Sequence, residues 1–158
     1  MRMRGRAVCV ANLSTPDSLM ALERTFVILK PDCMQKGLYP EVIARFSRAG
    51  FKLVACKLAD LDPALLRTHY AHIVDKPFYP DVERYMTEAP VLLMVWEGDD
   101  VIEKMRKLIG PTDSHAAPAG TIRGDMGVDK STNVAHASDG PETACAEIAR
   151  FFGPEEVY

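Results

Sequence analysis

Polar and cationic side chains stand where the predicted elements end, which is where a fold can gather them into a cleft. They are a lysine, two arginines, a hydroxyl and an amide: Lys30, Arg106, Arg123, Thr112 and Asn133. An arginine fork pairs with phosphate oxygens at two points, and a lysine supplies a compact charge. If these residues converge on one cleft, that cleft would suit a polyphosphate.

Three further residues could join this group. His136 follows Asn133 by three residues, and Tyr70 and Phe78 lie on helical segments that could form a hairpin beside the same edge. Each residue taken singly also has an ordinary structural interpretation. Tyr70 and Phe78 could be core residues, Thr112 could cap a turn, and a lone histidine is usually hydrogen-bonded for structure. Exposed lysines and arginines at the ends of elements are mostly solvated.

The other histidines and the cysteines give a weak signal for a metal. His69 and His72 are three residues apart on a predicted helix, but no cysteine or carboxylate stands at ligand spacing beside them. A zinc site needs such companions, so we predict that both are surface or packing residues. The cysteines form no C-x-x-C pair, which gives no support to a structural zinc site either.

The elements that must position these residues alternate along the chain from Glu23 onward. Apolar or alternating runs predict strands over 25–29, 51–58, 90–96 and 133–136. Helical spacing predicts helices over 39–49, 64–72, 77–86, 99–108 and 141–152. Residues 110–132 show no lasting periodicity and are predicted to form a long loop, which in a compact domain is usually either functional or disordered. The order predicts an α+β fold, a ferredoxin-like α/β sandwich with a four-stranded antiparallel sheet.

The composition describes an ordinary globular chain with a modest negative charge. It has 158 residues, 47% hydrophobic and 26% charged, with a net charge of −3. Proteins held to nucleic acid by bulk electrostatics usually carry a basic excess, so nucleic acid is not an expected partner. No apolar run approaches the ~20 residues of a membrane span, and we expect no membrane partner. A cytoplasmic protein is the expectation.

The first 20 residues differ in character from the rest. They open with arginines, contain few acids, and lack the long apolar centre of a secretory signal. They resemble an organelle transit peptide weakly, and the alternatives are a disordered tail or translation that starts at Met20. We predict a disordered or non-native extension over 1–20 and a single domain over 21–158.

Seven segments, taken in order, carry a more specific signal than any single residue. They are Glu23-Arg24-Thr25-Phe26, Lys30-Pro31-Asp32, Lys76-Pro77-Phe78-Tyr79-Pro80, Met94-Val95-Trp96-Glu97-Gly98, Ile109-Gly110-Pro111-Thr112, Gly120-Thr121-Ile122-Arg123-Gly124-Asp125 and Asn133-Val134-Ala135-His136-Ala137-Ser138-Asp139. In this order and register they strongly resemble the nucleoside diphosphate kinases. The resemblance runs from Glu23 to Phe152, 130 of the 158 residues, with no insertion or deletion.

The resemblance implies a phosphotransferase that works by a ping-pong mechanism through a phosphohistidine. In the family a histidine takes the terminal phosphate of a nucleoside triphosphate and passes it to a nucleoside diphosphate, and His136 occupies that position. An imidazole suits this role, because its reference pKa of about 6.5 leaves it neutral and nucleophilic near pH 7. Glu147 matches the carboxylate that holds the ring by one nitrogen so that the other is free. Lys30 is the third residue expected to be catalytic.

The same resemblance implies a nucleotide site, a cofactor and an assembly. The family's phosphate contacts correspond to Lys30, Tyr70, Arg106, Thr112 and Arg123, its sugar contact to Asn133 and its base-stacking aromatic to Phe78. Stacking without base-edge hydrogen bonds tolerates every base. The family uses Mg²⁺, held mainly by the nucleotide phosphates and water, so no protein metal ligand is predicted. Its members are hexamers or tetramers.

Four departures from the family pattern lie near the expected site. Ala137 replaces a usual glycine, Gly140 replaces a usual serine, Lys130-Ser131 replaces a small or apolar pair, and the loop proline stands one residue early, at position 118. These changes remove no expected catalytic side chain, but they raise the rival hypothesis of a nucleotide-binding module without catalysis. A ferredoxin-like regulatory domain unrelated to phosphoryl transfer is the other alternative.

Overall fold

The computed structural model describes residues 22–158, so the predicted extension over 1–20 lies outside the described part of the chain. The strands are β1 (Leu22–Leu29), β2 (Lys52–Ala59), β3 (Val91–Asp99) and β4 (Ala135–Ala137). The helices are α1 (Pro31–Gln35), α2 (Tyr39–Arg48), α3 (Pro63–His69), α4 (Tyr79–Thr87), α5 (Val101–Ile109), α6 (Ile122–Met126) and α7 (Pro141–Phe151). Short 3₁₀ turns cover Ser114–Ala116 and Pro154–Glu156.

The four strands form one antiparallel sheet in the order β2-β3-β1-β4. Strand β1 is central and buried on both faces, which explains its continuous apolar run. Val27 and Leu29 point into one core cluster with α2 and α5, whereas Phe26 and Ile28 point into a second cluster with α3, α4 and the end of α7. The fold is therefore the predicted ferredoxin-like α/β sandwich.

Strand β4 is short and lies at the edge of the sheet, and its register decides where His136 points. His136 is paired with Ile28 of β1, and paired residues share a face of the sheet. That face is the one covered by the end of α7, where Phe151 stacks on Phe26 at 4.8 Å between ring centroids. His136 therefore faces α7, the helix that carries Glu147.

The predicted elements are confirmed with two additions. The first is α1, which the sequence did not predict, and Pro31 occupies its first turn, where the missing N–H is not needed. Residues 110–132 are not a plain loop, because they contain a 3₁₀ turn and α6, which the Thr121 hydroxyl caps by accepting from Gly124 N–H at 3.0 Å. The described residues include no helix that is long and apolar enough to cross a membrane.

Candidate active site

A cleft of about 1120 Å³ opens between the α3–α4 segment, the C-terminal end of α5 and the β4 edge. Its lining includes every residue that the sequence analysis assigned to catalysis or nucleotide binding: Lys30, Tyr70, Phe78, Arg106, Thr112, Arg123, Asn133, His136 and Glu147. The structure thus brings the whole predicted set together. The chemical role of each residue stays a prediction.

His136 is held by a buried carboxylate on α7. Its Nε2 lies 2.9 Å from Oε1 of Glu147, and the Ser138 hydroxyl donates to the other carboxylate oxygen at 2.6 Å. Burial acts to raise the pKa of Glu147, but the hydrogen bond and charge of His136 outweigh it, so the pKa is lowered overall. An ionised Glu147 can only accept, which assigns the ring proton to Nε2 and leaves the lone pair on Nδ1. The His136 side chain is partly exposed, with 23% of its surface accessible to solvent.

A second histidine, His69, lies beside this pair and was not predicted as a site residue. The centroids of the two imidazoles are 4.8 Å apart, and His69 Nδ1 lies 3.8 Å from Glu147 Oε1. Burial, with the neighbouring His136, lowers the pKa of His69 to about 3, so its ring is neutral at pH 7. Arg150 donates to Nδ1 at 3.2 Å. The sequence offered two signals, the spacing of His69 to His72 and its position directly before Tyr70, and neither one points to the pair of His136 and Glu147.

His69, His136 and Glu147 form the one group among the described residues that could hold a metal. Each offers one ligand atom, and these three atoms lie within 4.8 Å of one another. The hydrogen bonds already occupy these atoms, and the Arg150 guanidinium contacts the same imidazole. A cation placed there would face that positive charge. The arrangement therefore favours a hydrogen-bond network over a metal centre.

Lys30 reaches into the cleft from the end of β1 and meets Asn133. Its ammonium donates to Asn133 Oδ1 at 2.7 Å and to the Ser131 carbonyl at 3.5 Å. Burial is the main reason why the pKa of Lys30 falls to about 8, and the nearby charge of Arg123 lowers it further. Lys30 is thus charged at pH 7 and loses that charge in mildly basic solution.

Arg123 is anchored by main-chain oxygens. Its Nε, Nη1 and Nη2 donate to the carbonyls of Asn133 at 3.1 Å, Gly110 at 3.0 Å and Ala135 at 2.6 Å. Burial and the charge of Arg106 lower the pKa of Arg123 to about 10. No carboxylate is among these hydrogen-bond partners, so a partly buried positive charge is left for an anion to neutralise.

The aromatic pair differs in exposure. Phe78, just before α4, leaves 52% of its surface exposed, which is unusual for a phenylalanine that packs in a core. Tyr70 ends α3 and is partly buried, and burial together with Glu147 raises the pKa of its hydroxyl well above its usual range. Tyr70 is therefore a neutral donor at any physiological pH. Phe78 presents a face to solvent inside the cleft.

Three of the departures from the family pattern have simple local conformations or contacts in the structure. Ala137 takes ordinary strand backbone in β4 and has no positive φ, so no glycine is needed there. Gly140 begins α7 in an extended conformation without a side-chain cap. The Lys130-Ser131 pair contributes through its carbonyls, since Asn133 Nδ2 donates to Lys130 O at 2.8 Å. The hydroxyl that completes the histidine network belongs to Ser138.

Comparison with known proteins identifies the class that this fold and cleft define. A family model described as nucleoside diphosphate kinase matches residues 23–157. The nucleoside diphosphate kinase 3 of Spinacia oleracea is 50% identical over 135 residues, 85% of this chain and 88% of that protein.

Two solved structures share the architecture. The Aquifex aeolicus nucleoside diphosphate kinase superposes with a TM-score of 0.83 at 39% identity, covering 87% of this chain and 100% of that one. A Halobacterium salinarum nucleoside diphosphate kinase in complex with CDP gives a TM-score of 0.84 at 42% identity, covering 86% and 91%. The chain belongs to the nucleoside diphosphate kinase family. It is a phosphotransferase that uses nucleotides.

The charge of Lys30 predicts a basic limb in the pH profile. Lys30 is protonated below its pKa of about 8 and neutral above it. If its charge binds phosphate, kcat/KM for a nucleoside triphosphate should fall about tenfold per pH unit above that value, as expected for a single titrating group. Steady-state kinetics between pH 7 and pH 9.5 would measure the fall.

The control is Lys30→Arg, whose guanidinium stays charged over this range. The kcat/KM of each protein is compared with its own maximum. An unchanged basic limb in Lys30→Arg would assign the titration to another group.

Proposed function

We propose that this protein transfers the terminal phosphate of a nucleoside triphosphate to a nucleoside diphosphate through a phosphohistidine on His136, in a ping-pong mechanism. The observation that carries the proposal is the hydrogen bond from His136 Nε2 to the buried carboxylate of Glu147. That bond leaves Nδ1 as the nitrogen with an available lone pair, in a residue that lines the cleft. Family membership supports the reaction class.

The two half-reactions follow from this tautomer. The Nδ1 lone pair attacks the γ-phosphorus, and the bond from that phosphorus to the bridging oxygen breaks, so its electron pair leaves with the nucleoside diphosphate. The ring becomes cationic while Nε2 keeps its proton, and the Glu147 carboxylate stabilises that charge. In the second half-reaction a β-phosphate oxygen of the acceptor diphosphate displaces Nδ1. The imidazole returns to its starting state without a net proton transfer.

The cations of the cleft would stabilise the phosphoryl oxygens. Charge on those oxygens is spread in the transition state, and catalysis consists mostly of positioning and electrostatics. Arg106 is exposed in the last turn of α5, lines the cleft and would bind phosphate from there. Arg123 is fixed, but its guanidinium has five N–H groups, and the three hydrogen bonds to carbonyls leave donors for a phosphate. Lys30, Tyr70 and Thr112 would supply the remaining contacts.

Asn133 and Phe78 would hold the nucleoside. The amide nitrogen of Asn133 already donates to the carbonyls of Thr112 and Lys130, so its carbonyl oxygen has to contact the sugar. That oxygen accepts from Lys30 and keeps a second lone pair for a hydroxyl. Phe78 would stack on the base through its exposed face. Because every base has a π-face, this site would accept nucleotides of all bases.

Mg²⁺ would enter with the nucleotide. The ion prefers oxygen ligands and keeps several waters, whereas the described metal-compatible group includes two imidazoles. A cationic cleft fits a polyphosphate whose own oxygens hold the ion, so we assign Mg²⁺ no side-chain ligand. When bound, it would neutralise part of the phosphate charge.

The assembly is an expectation drawn from the family, whereas the compartment and the domain limits are expectations from the sequence. We expect a hexamer or a tetramer, a cytoplasmic enzyme, and one domain over 21–158 after a disordered or non-native extension over 1–20. Nucleic acid and membranes are not expected partners.

Transfer of label tests the covalent mechanism. Protein incubated with γ-labelled ATP should acquire acid-labile, base-stable label and pass it to GDP as labelled GTP, because phosphorus bound to a ring nitrogen has this stability profile. His136→Ala should take up no label, whereas His72→Ala is the matched control and should behave as wild type. Label that persists in His136→Ala would contradict the assignment. Nucleotide binding without any labelling of the wild type would favour the catalytically silent module.

Substitution of Phe78 tests the base contact. Phe78→Ala should weaken nucleotide binding by about 1–3 kcal/mol if the ring stacks on the base. Calorimetry with nucleotides of two different bases would measure the loss, which should be similar for both. Phe78→Tyr, which keeps the π-face, should bind normally. An unchanged affinity in Phe78→Ala would remove Phe78 from the nucleotide site.

A further inference from the structure

The backbone between Asn133 and His136 is strained at Val134. Its φ is +74°, a region that β-branched side chains rarely adopt, and its side chain is fully buried. The Ala135 N–H donates to the Asn133 carbonyl at 2.8 Å, so Val134 is the central residue of a γ-turn. A turn of this kind persists only where its surroundings hold it. It lies between the two residues assigned to the sugar and to the nucleophile.

The carboxylate of Asp32 holds the N–H of this turn. Asp32 is 3% exposed and lies in the first turn of α1. Its Oδ2 accepts from Val134 N at 3.1 Å, while the Val134 carbonyl accepts from Lys30 N–H at 2.9 Å. Both polar groups of the strained residue are therefore satisfied by the segment that follows β1. Arg123 donates hydrogen bonds to the carbonyls of Asn133 and Ala135, the residues on either side of Val134.

The other oxygen of Asp32 binds α4, the helix that begins directly after Phe78. The Tyr85 hydroxyl donates to Asp32 Oδ1 at 2.5 Å. Burial, followed by the hydrogen bond to Asp32, raises the pKa of Tyr85 well above its usual range. The Tyr85 hydroxyl therefore keeps its proton at physiological pH and can donate it to Asp32 Oδ1. The Asp32 carboxylate therefore connects α4, which follows Phe78, to the γ-turn at Val134, which precedes His136.

We propose that Asp32 and Tyr85 are positioning residues that set His136 for attack by holding the strained γ-turn at Val134 against α4. This proposal rests on the proposed phosphohistidine mechanism, but it assigns a role to two residues outside the set expected to contact nucleotide or phosphate, of which Tyr85 also lines the cleft. Both ends of the Lys30-Pro31-Asp32 motif thereby contribute to the site. Lys30 lines the cleft, and Asp32 accepts a hydrogen bond from the backbone N–H of Val134.

A graded set of variants separates positioning from simple structural support. Asp32→Ala removes both hydrogen bonds, and Tyr85→Phe removes only the one from α4. Asp32→Asn keeps an acceptor for the Val134 N–H and can donate its amide to the Tyr85 oxygen, so it should rescue most of the loss. The matched control is Tyr79→Phe, since Tyr79 is buried on the same helix, and no hydrogen bond between it and Asp32 exists in the described structure.

The measurements are the single-turnover rate of His136 phosphorylation by ATP, the dissociation constant of ADP, and the folded fraction from circular dichroism. Misplacement of a reacting group by about 1 Å can cost about a hundredfold in rate. We therefore expect the rate per folded molecule to fall about ten- to a hundredfold in Asp32→Ala and less in Tyr85→Phe. The ADP dissociation constant should change by less than about threefold, because neither Asp32 nor Tyr85 is among the residues assigned to nucleotide contacts.

Rates per folded molecule equal to wild type in Asp32→Ala and Tyr85→Phe would overturn the proposal, as would an equal fall in Tyr79→Phe. If Asp32→Ala does not fold, Tyr85→Phe against Tyr79→Phe decides alone. Absence of phosphorylation in the wild-type protein is a different outcome, because it would overturn the phosphohistidine mechanism itself.

Discussion

The hydrogen bond between the Glu147 carboxylate and His136 Nε2 is the interaction on which the rest of the site depends. It requires a buried anion, and burial alone acts against ionisation. The Ser138 hydroxyl offsets that cost by donating to the second oxygen, and the imidazole completes the pair. The geometry exists only because β4 is paired with β1 in a register that turns His136 toward α7. Sheet register and helix placement together therefore fix a proton on one ring nitrogen.

The opposite side of the cleft shows the complementary electrostatic constraint. Lys30 and Arg123 are both brought out of water, and the pKa of each is lowered, chiefly by burial. The oxygens that they contact belong to an amide and to main-chain carbonyls. Cations that are buried, like Lys30, or partly buried, like Arg123, are unfavourable in the free protein when no carboxylate is hydrogen-bonded to them. Their arrangement is reasonable if a polyanion completes it, which agrees with a nucleotide polyphosphate as the ligand.

Much of this organisation was predictable from the sequence. The apolar run of β1 and the helical spacing of α2 and α7 are long-range patterns that set the fold. The residues that line the cleft together could be chosen from the sequence because seven segments occur in one order and register. Two short helices, α1 and α6, were not predicted, since five residues are too few to show a period.

The contacts of His69, Asp32 and Tyr85 could not be predicted either. They join residues far apart in the chain, such as Tyr85 with Asp32 and Arg150 with His69. No local spacing encodes such a pair, because the partners meet only after the sheet and both of its faces have formed. The strain at Val134 is likewise set by the surrounding hydrogen bonds and not by its own preference.

The position of phosphorus on the imidazole tests the central claim most directly. Long-range ¹H–¹⁵N correlation spectra of the phosphorylated protein, labelled with ¹⁵N-histidine, identify which ring nitrogen bears the phosphoryl group. The Glu147 hydrogen bond predicts phosphorus on Nδ1 of His136 and a proton on Nε2. Phosphorus on Nε2, or on another histidine such as His69, would contradict the role of Glu147 and with it the mechanism.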